Sequence, residues 1–279
     1  MDSFLNLRPK IEIILNIDSD HLDYFKDIDH IVNSFDKFAK LVPGEGLIVA
    51  YEANPFVNQV IKNLDNAVTF GLNENCTYGG DNVVFNEKGL PAFDVKKEGR
   101  LLCRVQLSVP GEHNILNALA AFACCHSLGI PTGVIKETLE AYHGTQRRFD
   151  IVGTTASGVK IVDDYAHHPT EIKATLAACQ NIPHNKLWCV FQPHTYTRTL
   201  ALFDEFADAF EKADELVLAE IYAAREKNIY KISSAQLADK IKESHPDKKV
   251  TFMQDFNSIA DYVEGSADKG DLVLTMGYL

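Results

Sequence analysis

Strand-length apolar runs alternate with longer amphipathic segments at both ends of this chain, and that alternation restricts the fold more than any other feature. Residues 11–17 read as a buried strand. Residues 28–42 read as an amphipathic helix with Ile28, Ile31, Val32, Phe35 and Phe38 on one face. Residues 46–51 are strand-like, 55–64 form a helix opened by Pro55, and 67–71 return to strand. This β-α-β-α-β order implies a parallel sheet. The alternation lapses over 76–109. There 76–85, 91–95 and 100–109 read as strands with no helix between them and a turn at 86–89, which implies an antiparallel ribbon. Helices follow at 115–128 and 132–142. Beyond HGTQRRF, strands at 149–154 and 159–163 flank the turn Ala156-Ser157-Gly158, and His168-Pro169 opens a helix reaching 180. Strands at 187–191, 215–219, 250–253 and 272–275 then alternate with helices at 200–212, 234–243 and 256–265. The chain therefore reads as α/β in two parts, 1–145 and 146–279, with no internal repeat and no low-complexity tract.

Charge and composition exclude several function classes. Against 27 Lys and Arg stand 39 Asp and Glu, a formal net charge of −12. With no basic tract to offset it, that surplus repels phosphate backbones and anionic membranes, so nucleic acid and membrane are not expected partners. A local basic pocket for a small phosphate ligand stays open. The opening MDSFLNLRPK lacks the apolar core of a secretory signal. Residues 114–135 carry no charge, but Gly129 and Pro131 break the run, leaving about 15 residues of helix, too few to span a bilayer. The six cysteines form no CxxC pair. Neighbours in Cys124-Cys125-His126 would point about 100° apart on a helix, so reduced core cysteines in a cytoplasmic protein are the expectation.

The strongly polar strings each follow a predicted strand. DSDHLD follows 11–17, DDYAHHPT follows 159–162, QPHTYTR follows 187–191 and EIYAARE follows 215–219. In open α/β sheets ligands bind beyond the carboxyl ends of the strands. His, Asp, Tyr and Arg together are not the usual turn residues. His21, among Asp18, Asp20 and Asp23, suits either a divalent cation or a solvated, helix-capping loop. Asn114 and Asn117 share a helix face. Their carboxamides suit an adenine edge, or equally a cap and a satisfied core amide. Arg147 and Arg148 suit phosphate or an interdomain ion pair. Of Asp163 and Asp164, one is expected to cap a helix and the other to accept from a ribose hydroxyl or orient a cation. Of His167 and His168, one is expected to cap and the other to be the ligand candidate. Arg198 lies near His194, Tyr196 and an expected helix start, and Arg225-Glu226 reads as a surface ion pair. No GxSxG, HExxH, GxGxxG after a strand, or GxxxxGK[ST] occurs.

NIDSDHLDYF, GEHNILNALAAFA, GTQRRFD, DDYAHHPTE and FQPHTYTRT, in this order, resemble the Mur ligase family. The resemblance runs from about Ser3 to Met276. It is greatest to the member that uses ATP to join L-alanine to UDP-N-acetylmuramate, and DDYAHHPTE and FQPHTYTRT also fit a related ligase whose acceptor is a tripeptide. The resemblance implies a partial central ATPase domain over 1–145 and a Rossmann-like, amino-acid-binding C-terminal domain over 146–279. It implies ATP and Mg2+ as cofactors and an acyl phosphate intermediate. It also implies roles: His21 on magnesium, Asn114 and Asn117 on adenine, and Arg148 and Asp164 on ATP as the C-terminal domain closes. His167 and Arg198 would be catalytic and, with Tyr165, would bind substrate. Against the family pattern, this sequence lacks the P-loop and the glutamate expected before DSFLNL, and it ends MGYL where a Gly-Ala-Gly-Asp-like segment is expected. A truncated ligase, inactive alone, is the expectation, with a non-catalytic module of weak nucleotide affinity as the alternative. Loss of the P-loop strand is expected to uncover a sheet edge, so that 1–145 is less stable than 146–279 or self-associates.

Overall fold

In the computed structural model, residues 2–21 and 24–277 are described, and Asp23 of the His21 cluster lies outside them. The chain divides into two compact units, Met1–Asn86 with Leu90–His143 and Glu87–Gly89 with Gly144–Leu279. Each unit is α/β and built on a six-stranded sheet.

The first sheet runs β1 (Ile11–Ile14), β2 (Leu47–Tyr51), β3 (Ala67–Gly71), β4 (Tyr78–Phe85), β5 (Pro91–Lys97) and β6 (Arg100–Gln106), in that spatial order. Strands β1 to β4 pair in parallel, and β4, β5 and β6 form the antiparallel ribbon. Strand β2 shows why its sequence is unbroken in apolarity. Ile48 and Ala50 enter the core shared with α1 (Ile28–Ala39) and α2 (Pro55–Ile61), while Val49 enters the core under α3 (Glu112–Ser127). A strand covered on both faces has no position to give to a polar residue. The helix starts are local: Asp27 accepts from the His30 N–H, and Asn54 accepts from Phe56 and Val57 ahead of a proline at the first turn. Helix α4 (Thr132–Ala141) packs on β6. Strand β1 lies at the sheet edge and stops at Ile14, short of the expected 17, although Ile17 is still buried. Beside that edge Ile13 and Leu15 are 43% and 42% exposed.

The second sheet has the order β11-β10-β9-β12-β8-β7. Its strands are β7 (Asp150–Thr154), β8 (Lys160–Asp164), β9 (Leu187–Gln192), β10 (Glu215–Leu218), β11 (Lys249–Phe252) and β12 (Leu272–Gly277). All pairings are parallel except the β7–β8 hairpin. Helix α5 (Pro169–Cys179) joins β8 to β9, α8 (Ser234–Ser244) joins β10 to β11, and α9 (Phe256–Ser266) joins β11 to β12. The helix expected over 200–212 is instead two short ones, α6 (Tyr196–Ala201) and α7 (Phe203–Ala207), parted where Leu202 takes φ −113° and ψ 29°. Arg198 therefore sits inside a helix rather than ahead of one. Among the described residues no helix is long and apolar enough to cross a membrane.

Candidate active site

Strands β8, β9 and β10 run parallel, so the polar strings that follow them leave the sheet at one edge, the edge where α/β proteins place their ligands. Strand β8 ends in Asp163 and Asp164, and the pleat sends them to opposite faces. Asp164 is 5% exposed, and each of its oxygens accepts a backbone N–H at 2.7 Å, one from Phe149 and one from Ala166. Burial raises its pKa, and those two donors and Arg148 oppose the rise. Asp164 thereby braces Phe149, a non-glycine residue at φ +52°. Asp163 accepts from Arg147 Nε at 2.9 Å and from the Thr275 hydroxyl at 2.7 Å, and Arg147 also donates to the Gly277 carbonyl at 2.9 Å. The guanidinium groups of Arg147 and Arg148 lie 5.2 and 5.8 Å from the centre of the Tyr165 ring, within cation–π range. Arg148 is exposed and pairs with Glu171 at 3.7 Å.

The paired histidines divide the work. His168 caps α5 by accepting the Thr170 N–H, and Glu171 completes a capping box. His167 Nδ1 lies 2.9 Å from the Tyr165 carbonyl. A carbonyl can only accept, so Nδ1 donates there, and in the neutral imidazole the lone pair lies on Nε2.

After β9, His194 stacks on Tyr222 with ring centres 5.6 Å apart. Arg198 contacts His194 Nδ1 at 3.2 Å, and because a guanidinium only donates, the His194 proton sits on Nε2. Burial, then Arg198 and His167, lower the His194 pKa, while Glu226 opposes them. The His167 and His194 rings are 6.0 Å apart. One imidazole thus offers a lone pair and its neighbour an N–H, beside the Arg198 guanidinium. Tyr165 joins this group through its ring contact with His167, at 5.1 Å.

Sequence reasoning missed two of these partners. Tyr222 reads in the sequence only as one member of a loop string. Glu226, expected in a surface ion pair with Arg225, instead accepts from the backbone N–H of Thr197 at 2.9 Å and from the Thr197 hydroxyl. The signal available was that both lie in EIYAARE, at the carboxyl end of a strand adjacent to β9.

In the first unit, Asn114 donates to the Pro110 carbonyl at 2.7 Å, and Asn117 donates to the Asn114 side-chain oxygen at 3.2 Å. The two carboxamides form one linked pair near the start of α3, with Asn117 exposed. His21 has φ +55° and a 70% exposed side chain, and its Nε2 lies 3.8 Å from Asp20. Among the described residues no group of three or more His, Cys, Asp or Glu side chains is arranged to hold a metal. Of the two, only the Asp20 carboxylate is the oxygen donor that Mg2+ favours; His21 adds an imidazole nitrogen.

Residues 2–125 match the Mur ligase middle domain, and residues 147–279 match the Mur ligase glutamate ligase domain. The chain belongs to the Mur ligase family. Similarity to curated Mur ligases extends along nearly the whole chain. It is 47% identical over 277 residues to the UDP-N-acetylmuramate–L-alanine ligase of Caldanaerobacter subterraneus subsp. tengcongensis, covering 99% of this chain and 60% of that protein. It is 49% identical over 276 residues to the ligase of the same name from Clostridium acetobutylicum, covering 99% of this chain and 59% of the relative. The chain thus spans about three fifths of the length of these curated Mur ligases. Among solved structures, UDP-N-acetylmuramate-alanine ligase MurC from Thermotoga maritima superposes with a TM-score of 0.78 at 27% identity, covering 99% of this chain and 58% of that one. A MurF ligase from the same organism in complex with ADP, at 21% identity and a TM-score of 0.76, shares the fold over 96% of this chain and 58% of its own.

Proposed function

We propose that this chain supplies the adenine-binding and amino-acid-binding portion of a ligase that joins L-alanine to UDP-N-acetylmuramate with ATP. Residues 1–145 serve as part of the central ATP-binding domain and 146–279 as the amino-acid-binding domain. The observation that carries the reading is the His167–His194–Arg198 group, two imidazoles of opposite tautomer beside a guanidinium, at the ends of β8 and β9.

A carboxylate is a poor acyl donor until one oxygen carries phosphate. In the first step a carboxylate oxygen of UDP-N-acetylmuramate attacks the γ-phosphorus of ATP, and ADP leaves. In the second step the alanine nitrogen attacks the acyl carbon, the C–N bond forms, and inorganic phosphate departs with the C–O bond electrons. Arg198 neutralises charge on the acyl phosphate and the leaving phosphate. The lone pair at His167 Nε2 takes the proton that the amine must lose. His194 Nε2–H donates to a developing oxyanion, and Tyr165 flanks the substrate. Asn114 and Asn117 present the donor–acceptor pattern that an adenine edge requires. Arg148 contacts ATP phosphate. Asp164 acts there by holding the backbone that carries Arg148, since both its oxygens already accept N–H groups. Mg2+, when bound, offsets phosphate charge, with His21 as a protein ligand.

The sequence contains no GxxxxGK[ST], the element whose backbone N–H groups and lysine hold β- and γ-phosphates. That favours a second reading, in which these residues by themselves form a non-catalytic module that binds ATP no tighter than about 1 mM. One assay separates the two. ADP release is followed with Mg-ATP, UDP-N-acetylmuramate and L-alanine, with and without the separately made N-terminal part of a full-length relative. The ligase reading expects release only on complementation, and alanine-dependent. Silence in both leaves the module, and competition by a tripeptide against alanine would move the acceptor to the related ligase.

A further inference from the structure

Helix α6 carries Arg198, yet little in its own sequence explains why it starts where it does. It is six residues long, and its N-cap residue, Thr195, makes no side-chain cap. Thr195 also sits at φ +69°, a region that non-glycine residues occupy only when their surroundings hold them there. A helix this short is not stable on propensity alone.

The hold comes from the loop after β10. The Thr195 N–H donates to the Tyr222 carbonyl at 2.9 Å, and the Tyr222 N–H donates to the Pro193 carbonyl at 2.8 Å, so the two loops pair like short strands. Four residues on, Glu226 accepts from the Thr197 N–H, a first-turn donor with no partner inside the helix, and from the Thr197 hydroxyl. A carboxylate placed at a helix start satisfies the donor and complements the dipole. Glu226 is thus the cap of α6, supplied from 29 positions away.

We propose that Glu226 is a positioning residue whose grip on Thr197 sets the first turn of α6 and, through it, the contact of Arg198 with His194. What Arg198 and His194 then do rests on the ligase reading; the placement does not.

The groups around His194 give a test whose two outcomes have opposite sign. Arg198 faces it from α6, His167 from the loop after β8, and Tyr222 and Glu226 from the loop after β10. If Glu226 were only a nearby negative charge, removing it would lower the His194 pKa further. If it positions Arg198, removing it lets the guanidinium leave Nδ1, and the pKa rises. The experiment is an NMR titration of the imidazole in the whole 279-residue chain, for wild type, E226A, T197V and T197S. T197V removes the hydroxyl contact and leaves every charge in place; T197S restores it. The expected result is a rise of about half to one pH unit in E226A, a smaller rise in T197V, and wild-type behaviour in T197S. A fall in E226A together with no change in T197V overturns the proposal. The complemented ADP-release assay is read separately. There E226A is expected to raise KM for L-alanine about tenfold or more while KM for ATP holds. A moved titration with unchanged kinetics would sink the ligase role of Arg198 but not the positioning by Glu226.

Discussion

Glu12 lies on β1 with 3% of its surface exposed, and neither carboxylate oxygen meets a hydrogen-bond donor among the described residues. Burial without a partner penalises the charged form, so its pKa rises from 4.5 to about 7. Between those values the folded chain binds a proton that the unfolded chain has released. Stability attributable to Glu12 therefore falls as pH climbs from 4.5 to about 7, and the penalty is complete above that. Glu12→Gln should accordingly stabilise the first unit by about 3 kcal/mol at pH 8 and by no more than about 1 kcal/mol at pH 5. Denaturant midpoints at the two pH values check this; an equal gain at both would mean that ionisation is not the cause. His167 yields a second residue-scale expectation. In the complemented ligase assay, His167→Ala should lower kcat about 10²- to 10⁴-fold with KM for ATP unchanged, the effect of losing a proton acceptor.

Strand β12 shows what an element owes to its neighbours. Gly277, at φ +104°, ends it, and a Cβ there would collide with the Gln192 carbonyl on β9. Gly277→Ala should therefore cost about 2–4 kcal/mol, and it should also disturb Arg147, which holds the Gly277 carbonyl. A thermal melt with the Trp188 signal on β9 as probe would register it, and an unchanged midpoint would show that the strand end can shift freely. This glycine could not be singled out from sequence, because its constraint is a neighbouring strand 85 positions earlier. Elements whose causes are local were legible. The two-sided burial of β2 is written in its unbroken apolar run, and the α2 start in Asn54-Pro55. The α6 start was placed too late because its cap is Glu226, far off in sequence. Among the candidate site residues, the strand-end strings meet where β8 and β9 end, as their positions after parallel strands imply. Which histidine caps and which remains available depended on side-chain geometry that no spacing encodes.

At the scale of the whole molecule, each unit's sheet is open, with an edge strand at either end and paired strands between. In the first, β1 has no strand partner on one side among the described residues, next to the half-exposed Ile13 and Leu15. In the second, β9 is buried along all six residues and flanked by strands on both sides. Amide exchange should therefore be faster in β1 than in β9 and β12, and uniform protection would contradict the comparison. The same open edge invites a second copy, against the repulsion of a −12 chain. Sedimentation should then show mass rising with added salt, as screening removes that repulsion. The order of the second sheet has a different consequence, for how the protein is made. Its latest strand in sequence, β12, occupies the gap between β9 and β8. A ribosome would release β8 and β9 long before anything exists to join them. Until residue 277 is clear of the exit tunnel, the nascent chain holds two half-sheets, β7-β8 and β9-β10-β11, with facing unpaired edges. The polypeptide is then at its most exposed to wrong pairing, because two strand edges wait for a partner that is still to be made.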